Sequence, residues 1–219
     1  MSRKVVRLTL DHLPRLDEHV RTCLRWQLDP VARGRVAPPE RADELSAWVS
    51  EVLREWGSCG RVALNDDEVV GAVLYAPPAF LPGGQDLPTW PPTPDAVMLA
   101  QLYVTPEARG GGWGRMLVQG LARDLVQREQ VALEAFGDTR GLADDGTARA
   151  CVLPAEFLGA VGFKTQRAHS TTPRMRMELR TTRAWMSDVE QALERLVGAV
   201  RPALKPQQGR SVRSGPRAP

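Results

Sequence analysis

The sequence of 219 residues lacks any apolar run approaching the roughly 20 residues that a membrane-spanning helix needs. Its first residues include Arg3 and Lys4 but not the apolar stretch of a secretory signal peptide. Cysteine is scarce, and Cys23, Cys59 and Cys151 lack the spacing typical of a metal site. These absences predict a cytoplasmic protein with free thiols, no bound metal and no membrane partner.

Acidic residues are absent from the C-terminal segment 202–219, which carries Lys205, Arg210, Arg213 and Arg217. The formal net charge of the whole chain is +3, so the rest of the chain is close to neutral. The segment also lacks aromatic side chains that could stack on bases. We therefore predict a disordered basic tail over 202–219, and its few scattered charges argue against nucleic acid as a partner.

The remaining composition is that of a folded domain. Hydrophobic residues make up 42% and charged residues 25% of the chain, which is enough for a packed core. We predict one domain over 1–180 and a separate amphipathic helix over 181–201. The apolar stripe of that helix either packs back on the domain or forms the seam of a homodimer.

A glycine-rich turn between a strand and a helix is the most informative segment. The apolar stretch Val97–Val104 predicts a strand, and leucines at helical spacing from Leu117 onward predict a helix. Between them lies the sequence RGGGWGR, formed by Arg109, Gly110, Gly111, Gly112, Trp113, Gly114 and Arg115. Such a turn lets backbone N–H groups of the first helical turn approach an anion, and the helix dipole attracts it. The predicted ligand is a phosphate or diphosphate.

The spacing of the glycines excludes two common phosphate-binding motifs. A P-loop requires Lys followed by Ser or Thr, whereas Gly114 is followed by Arg115 and Met116. A dinucleotide fingerprint requires a third glycine where Leu117 stands.

The pattern that is present, R-x-x-G-x-G at Arg109, Gly112 and Gly114 after L-Y-V-x-P, resembles the coenzyme A signature of the GNAT superfamily of N-acetyltransferases. A second similar segment runs from Leu133 to Phe163 and ends in the Gly-Phe pair of that family. The resemblance covers about residues 5–179. It implies an α/β (mixed α+β) fold with a mostly antiparallel twisted sheet of about six to seven strands flanked by helices. The fourth and fifth strands are expected to splay apart.

The resemblance also implies a reaction and a co-substrate. Acetyl-CoA would donate an acetyl group to a primary amine of a small molecule or a protein. Pantetheine would pair with the backbone of Leu102, Tyr103 and Val104, and the diphosphate would bind the segment from Arg109 to Arg115. A backbone N–H of the fourth strand would polarise the thioester carbonyl.

The resemblance makes Glu134 the candidate general base, since family members carry a glutamate in a similar fifth strand. A structural glutamate paired with an arginine is the alternative. Family members often have a tyrosine that acts as the general acid four residues before the glycine of the Gly-Phe pair. In this sequence the position is Leu158, whose side chain cannot donate a proton. Solvent, or another group such as Cys151 or a histidine, could protonate the thiolate; alternatively, the protein is a non-catalytic acyl-CoA-binding regulator.

Other expectations concern the walls of the acceptor pocket. We predict a long first helix over Leu13–Leu28, a loop over Pro30–Glu40 and a second helix from about Ala42 to Trp56. The proline-rich segment Ala76–Asp95 is predicted to be irregular, and it forms either a wall of the substrate cleft or else a surface excursion or a dimer contact. The three histidines share no motif and are predicted to lie on the surface.

Overall fold

The structure is a computed structural model that describes residues 2–141 and 151–179. Its strands are β1 (Arg3–Arg7), β2 (Gly60–Asn65), β3 (Glu68–Ala76), β4 (Ala96–Val104), β5 (Ala132–Asp138), β6 (Leu153–Pro154), β7 (Lys164–Arg167) and β8 (Arg174–Glu178). Its α-helices are α1 (Glu18–Thr22), α2 (Pro30–Arg35), α3 (Arg41–Glu55), α4 (Trp113–Gln127) and α5 (Ala155–Ala160). Short 3-10 turns connect several of them.

The strands form one sheet in the order β1-β2-β3-β4-β5-β8-β7, with β6 attached to β5. Neighbouring strands are antiparallel except for the pairs β4–β5 and β5–β6. The predicted mixed fold with a mostly antiparallel sheet is confirmed. The described residues contain eight strands rather than six to seven because the two-residue strand β6 is too short to be visible in the sequence.

Helices cover both faces of the sheet. On one face α3 buries Leu45, Trp48, Val49 and Val52 against the side chains of alternate strand residues. On the other face α4 buries Leu117, Leu121 and Leu125, which stand at the helical spacing that the sequence shows. Burial of apolar side chains on both faces stabilises the sheet and fixes the start of α4 beside the end of β4.

Strands β4 and β5 pair over a short stretch and then separate. Their parallel register joins Ala96–Met98 with Ala132–Glu134. Further along β5, Gly137 pairs with Leu153 of β6 instead of with β4. An irregularity in the register of β3 with β4, between Leu74 and Tyr75, lies close to the point of separation. The predicted splaying of the fourth and fifth strands is confirmed, and it leaves a cleft beside the C-terminal half of β4.

Two predicted elements are wrong in detail. Residues 13–28 do not form one helix, because a 3-10 helix at Leu10–Arg15 contains Pro14 and α1 starts anew after Asp17, whose carboxylate caps it. The predicted loop over Pro30–Glu40 contains α2, with Asp29 accepting hydrogen bonds from the first N–H groups. The capping residue and the proline at the first helical position are a helix signal that outweighs the composition of the segment.

The proline-rich segment is irregular, as predicted, but much of it is buried. Leu81 is inaccessible to solvent, and the backbone of Gly83 donates to the Trp26 carbonyl. The predicted helix over 181–201 and the tail over 202–219 lie outside the described residues, as do residues 142–150. Within the described part of the chain, no helix is long and apolar enough to cross a membrane.

Candidate functional site

A cleft of about 390 Å³ opens where β4 and β5 separate. Its walls come from the C-terminal half of β4, from the turn and first residues of α4, and from β6 and α5. Its lining includes every predicted site residue of β4 and of the glycine-rich turn except Gly111, namely Leu102, Tyr103, Val104, Arg109, Gly110, Gly112, Trp113, Gly114 and Arg115. The structure therefore brings the two segments that the sequence singled out into one site.

The glycine-rich turn presents backbone N–H groups to this cleft. The helical hydrogen bonds of α4 begin with Met116 N donating to Gly112 O, so the N–H groups of Trp113, Gly114 and Arg115 precede that first bond. Gly110 and Gly112 have φ angles of 76° and 78°, in the left-handed region that favours glycine. A Cβ at either position would meet no atom within 4 Å. The turn is thus open above its backbone, with the space that an anion requires.

Arginine side chains surround the turn. Arg109 Nε donates to Val104 O at 3.2 Å, and Arg115 donates to Ala160 O at 3.0 Å, so both are held at the rim of the cleft. On the other side Arg3 stacks on the Trp113 ring, 4.0 Å from its centroid, and donates to the Gly111 carbonyl. Gly111 itself supports the turn by its backbone and does not line the cleft. The local charge is positive, as anion binding needs.

The exposed stretch of β4 supplies a second backbone surface. Leu102, Tyr103 and Val104 are half-buried, and their partner strand lies only on the β3 side. Just before them, Gln101 lines the cleft and is 4% exposed. Both polar atoms of its side chain have no partner among the described residues. A buried amide without a partner is costly, and it is typical of a wall that a ligand completes.

Glu134 is inaccessible to solvent and does not line the cleft. One carboxylate oxygen accepts from the Thr93 hydroxyl at 2.7 Å and the other from the Thr93 backbone at 3.0 Å. Arg174 and Arg176 form ion pairs with it at 3.3 and 3.4 Å. The geometry is that of the paired structural glutamate, which was the alternative. The general-base role of Glu134 stays a prediction.

The position where the family often has a general-acid tyrosine lies in an apolar environment in the structure. Leu158 is inaccessible to solvent and belongs to the core on the α4 side of the sheet. Its neighbours Phe157, Ala160 and Val161 line the cleft instead. The wall beside α5 therefore has no side chain in these positions that could protonate a thiolate.

Two residues that line the cleft differ from their sequence predictions. His19 lines the cleft, stacked on Tyr103 with ring centroids 5.7 Å apart, rather than lying on the open surface. Cys151 lines it too, and it forms a disulfide with Cys23 instead of being a free core thiol. Cys59 is free, as predicted, and it is buried. The pairing could not be found from the sequence because 128 residues separate the two cysteines.

Asp17 lies close to Tyr103 on this wall of the cleft. Asp17 caps α1 by accepting from the His19 backbone at 2.8 Å. Partial burial, and next the negative charge of Asp17, raise the pKa of Tyr103. Tyr103 therefore stays protonated at neutral pH and acts on the cleft as a neutral side chain. Among the described residues no cluster of histidine, cysteine or carboxylate side chains could hold a metal ion.

Comparisons with solved structures agree with this architecture. The PaiA N-acetyltransferase of Thermoplasma acidophilum, in complex with coenzyme A, aligns with a TM-score of 0.53 and 14% identity over 81% of this chain and 99% of that chain. An N-acetyltransferase of Staphylococcus aureus Mu50 aligns with a TM-score of 0.54 and 14% identity over 82% and 99%. The yncA protein of Salmonella typhimurium, with its cofactor acetyl-CoA, aligns with a TM-score of 0.52 and 14% identity over 81% of this chain and 94% of that chain. At these low identities the structural alignments show a shared fold and nothing more.

No curated protein matches the sequence. The model of the acetyltransferase (GNAT) family matches residues 20–141, which is more than half of the chain and includes β4, the glycine-rich turn and α4. The chain therefore belongs to the acetyltransferase (GNAT) family.

Proposed function

We propose that the protein is an N-acetyltransferase that transfers an acetyl group from acetyl-CoA to a primary amine. The observation that carries the proposal is the cleft between β4 and β5, which ends on the open N–H groups of the glycine-rich turn. Two of the structural neighbours contain coenzyme A or acetyl-CoA, which supports a ligand of this class.

The residues present fit coenzyme A. The diphosphate would bind the N–H groups of Trp113, Gly114 and Arg115, in the space above the left-handed glycines Gly110 and Gly112. The guanidinium groups of Arg109 and Arg115, already anchored at the rim, would add charge. Pantetheine would run back along β4 and pair with the backbone of residues 102–104, which β5 leaves uncovered. The thioester would then lie near Gln101.

The chemistry would be direct attack. The nitrogen of the acceptor amine forms a bond to the thioester carbonyl carbon, and the carbon–sulfur bond breaks as coenzyme A leaves. A backbone N–H of β4 stabilises the negative charge that develops on the carbonyl oxygen. Solvent protonates the departing thiolate, since Leu158 cannot.

The attacking amine must also lose a proton. Glu134 is the carboxylate that the resemblance suggests for this step, but its oxygens are occupied by Thr93 and two arginines. His19 is an imidazole on the wall of the cleft, and imidazole is the commonest general base in enzymes. We therefore propose His19 as the general base that accepts the proton of the amine, and we assign a structural role to Glu134.

The direct test is a thiol-release assay with acetyl-CoA and longer acyl-CoAs across a library of small amines and peptide N-termini. We expect acetyl-CoA with at least one primary amine to release thiol above the rate without amine. Tight binding of coenzyme A with no release for any amine would favour the second candidate, an acyl-CoA-binding regulator. The buried Leu158 and the paired Glu134 are the observations that favour that candidate.

A further inference from the structure

A disulfide forms part of the wall where the thiol end of coenzyme A would lie. Cys151 lines the cleft and is bonded to Cys23, the residue that follows α1. His19, on the same short helix, has its Nε2 3.7 Å from the Cys151 sulfur. His19 also stacks on Tyr103 of β4, so an unbroken row of contacts joins the pantetheine-pairing strand to the disulfide.

The order of these contacts leads from the phosphate end of the cleft towards the disulfide. Arg109 is at the phosphate end, and its Cζ lies 5.9 Å from the centroid of the Tyr103 ring. The His19 ring stacks on the same ring, with the two centroids 5.7 Å apart. Cys151 is reached through His19, one contact further from the glycine-rich turn. The product of acetyl transfer is a free thiol that would be released into this part of the cleft.

We propose that Cys151 is a modification site for coenzyme A itself, which forms a mixed disulfide there; this inference rests on the proposed function. The coenzyme A sulfur attacks the Cys151 sulfur, the bond to Cys23 breaks, and a bond between coenzyme A and Cys151 replaces it. The thiol of coenzyme A loses one proton and Cys23 gains one, so atoms and electrons balance without an added oxidant.

His19 is placed to carry that proton. Its ring touches the Cys151 sulfur, and its carbonyl accepts the Cys23 backbone N–H at 3.2 Å, so the leaving sulfur is one helical turn away. An imidazole beside a disulfide favours exchange because it can accept the proton of the attacking thiol and protonate the leaving thiolate. The adduct would fill the cleft and block acetyl-CoA, and a small reducing thiol would release it. The enzyme would thereby be inhibited by its own product when reducing thiols are scarce.

The experiment uses the full-length protein purified without reductant and incubated under nitrogen with coenzyme A. Glutathione at equal concentration is the matched probe, because it is a thiol that carries no diphosphate. Intact-mass and non-reducing peptide analysis follow the adduct, and calorimetry measures coenzyme A binding. We expect an adduct on Cys151, a new thiol at Cys23, and roughly tenfold or more faster formation with coenzyme A than with glutathione, because binding concentrates the thiol.

Variants make the outcome specific. Cys23→Ser removes the disulfide and should abolish the exchange with reduced coenzyme A, whereas Cys59→Ser should leave it unchanged. The proposal is overturned if coenzyme A binds without forming an adduct, if glutathione reacts as fast, if the adduct lies on Cys23, or if purified wild type contains no disulfide. Absence of coenzyme A binding by calorimetry would instead overturn the proposed function.

Discussion

Replacement of Glu134 by glutamine separates a structural glutamate from a general base. The carboxylate is inaccessible to solvent, and the side chains of its partners Arg174 and Arg176 are 10% and 11% exposed. Arg176 also pairs with Asp95 and Glu178, whereas Glu134 is the acidic partner that the structure shows for Arg174. Glu134→Gln keeps the volume of the side chain but removes its charge from the two buried arginines.

The expected loss follows from the burial of the pair. Leaving a buried charge without its partner costs about 3–5 kcal/mol, and 1 kcal/mol shifts the melting temperature of a domain of this size by roughly 2–4 °C. Glu134→Gln should therefore melt roughly 6–20 °C below wild type. Since Glu134 does not line the cleft, coenzyme A affinity and kcat measured well below the melting temperature should change less than about tenfold.

Two controls complete the measurement by calorimetric melting and thiol release. Asp95→Asn removes a half-exposed carboxylate from the same Arg176 and should cost less than about 1 kcal/mol. The double variant Glu134→Gln with Arg174→Met should recover part of the lost stability, because it also removes the buried charge that the single variant leaves without its carboxylate partner. A melting temperature within about 2 °C of wild type together with a ~10²- to 10⁴-fold fall in kcat would show that Glu134 is the general base and not a structural glutamate.

Further predictions concern pH, thiol reactivity and the glycine-rich turn. Hydrogen bonds from Arg176 lower the pKa of Asp95 from 3.8 to about 2. The ionised Asp95 therefore contributes its full stabilisation of the fold above pH 3.8 and loses it as the pH falls towards 2. The melting temperatures of wild type and Asp95→Asn should converge over that interval. Burial raises the pKa of Cys59 to about 12, so unreduced native protein should show no thiol to a colorimetric reagent and denatured protein one. Gly112→Ala should weaken coenzyme A binding in calorimetry by about tenfold or more and should cost roughly 1 kcal/mol of stability. Gly141→Ala is the control, because Gly141 has a similar φ of 77° and a Cβ there would also meet no atom within 4 Å. It should lose a similar amount of stability and leave coenzyme A binding unchanged.

The parts of the site that lie close together in the chain could be predicted from the sequence. The strand, glycine-rich turn and helix from Val97 to Gln127 are consecutive in the chain. The periodicity of apolar residues indicates the strand and the helix, and the glycines and a proline indicate the turn. The structure places these residues as expected, with α4 beginning at Trp113 directly after Gly112.

The rest of the site depends on contacts between distant segments. His19 and Cys151 are 132 residues apart, and nothing in either local sequence indicates that the two side chains meet. Gln101 is visible as a polar residue in an apolar strand, which is a signal that could have been used. The partners of Glu134 were also hidden, because Arg174 and Arg176 lie on β8, which pairs with β5 across the sheet. Strand order and register are tertiary properties that periodicity does not determine.

A crystal structure of the protein grown with coenzyme A would show directly whether the glycine-rich turn binds the diphosphate. We expect diphosphate oxygens within hydrogen-bond distance of backbone nitrogens between Gly110 and Arg115, and pantetheine alongside Leu102–Val104. Coenzyme A bound away from the glycine-rich turn, or a cleft still empty at saturating coenzyme A, would contradict it.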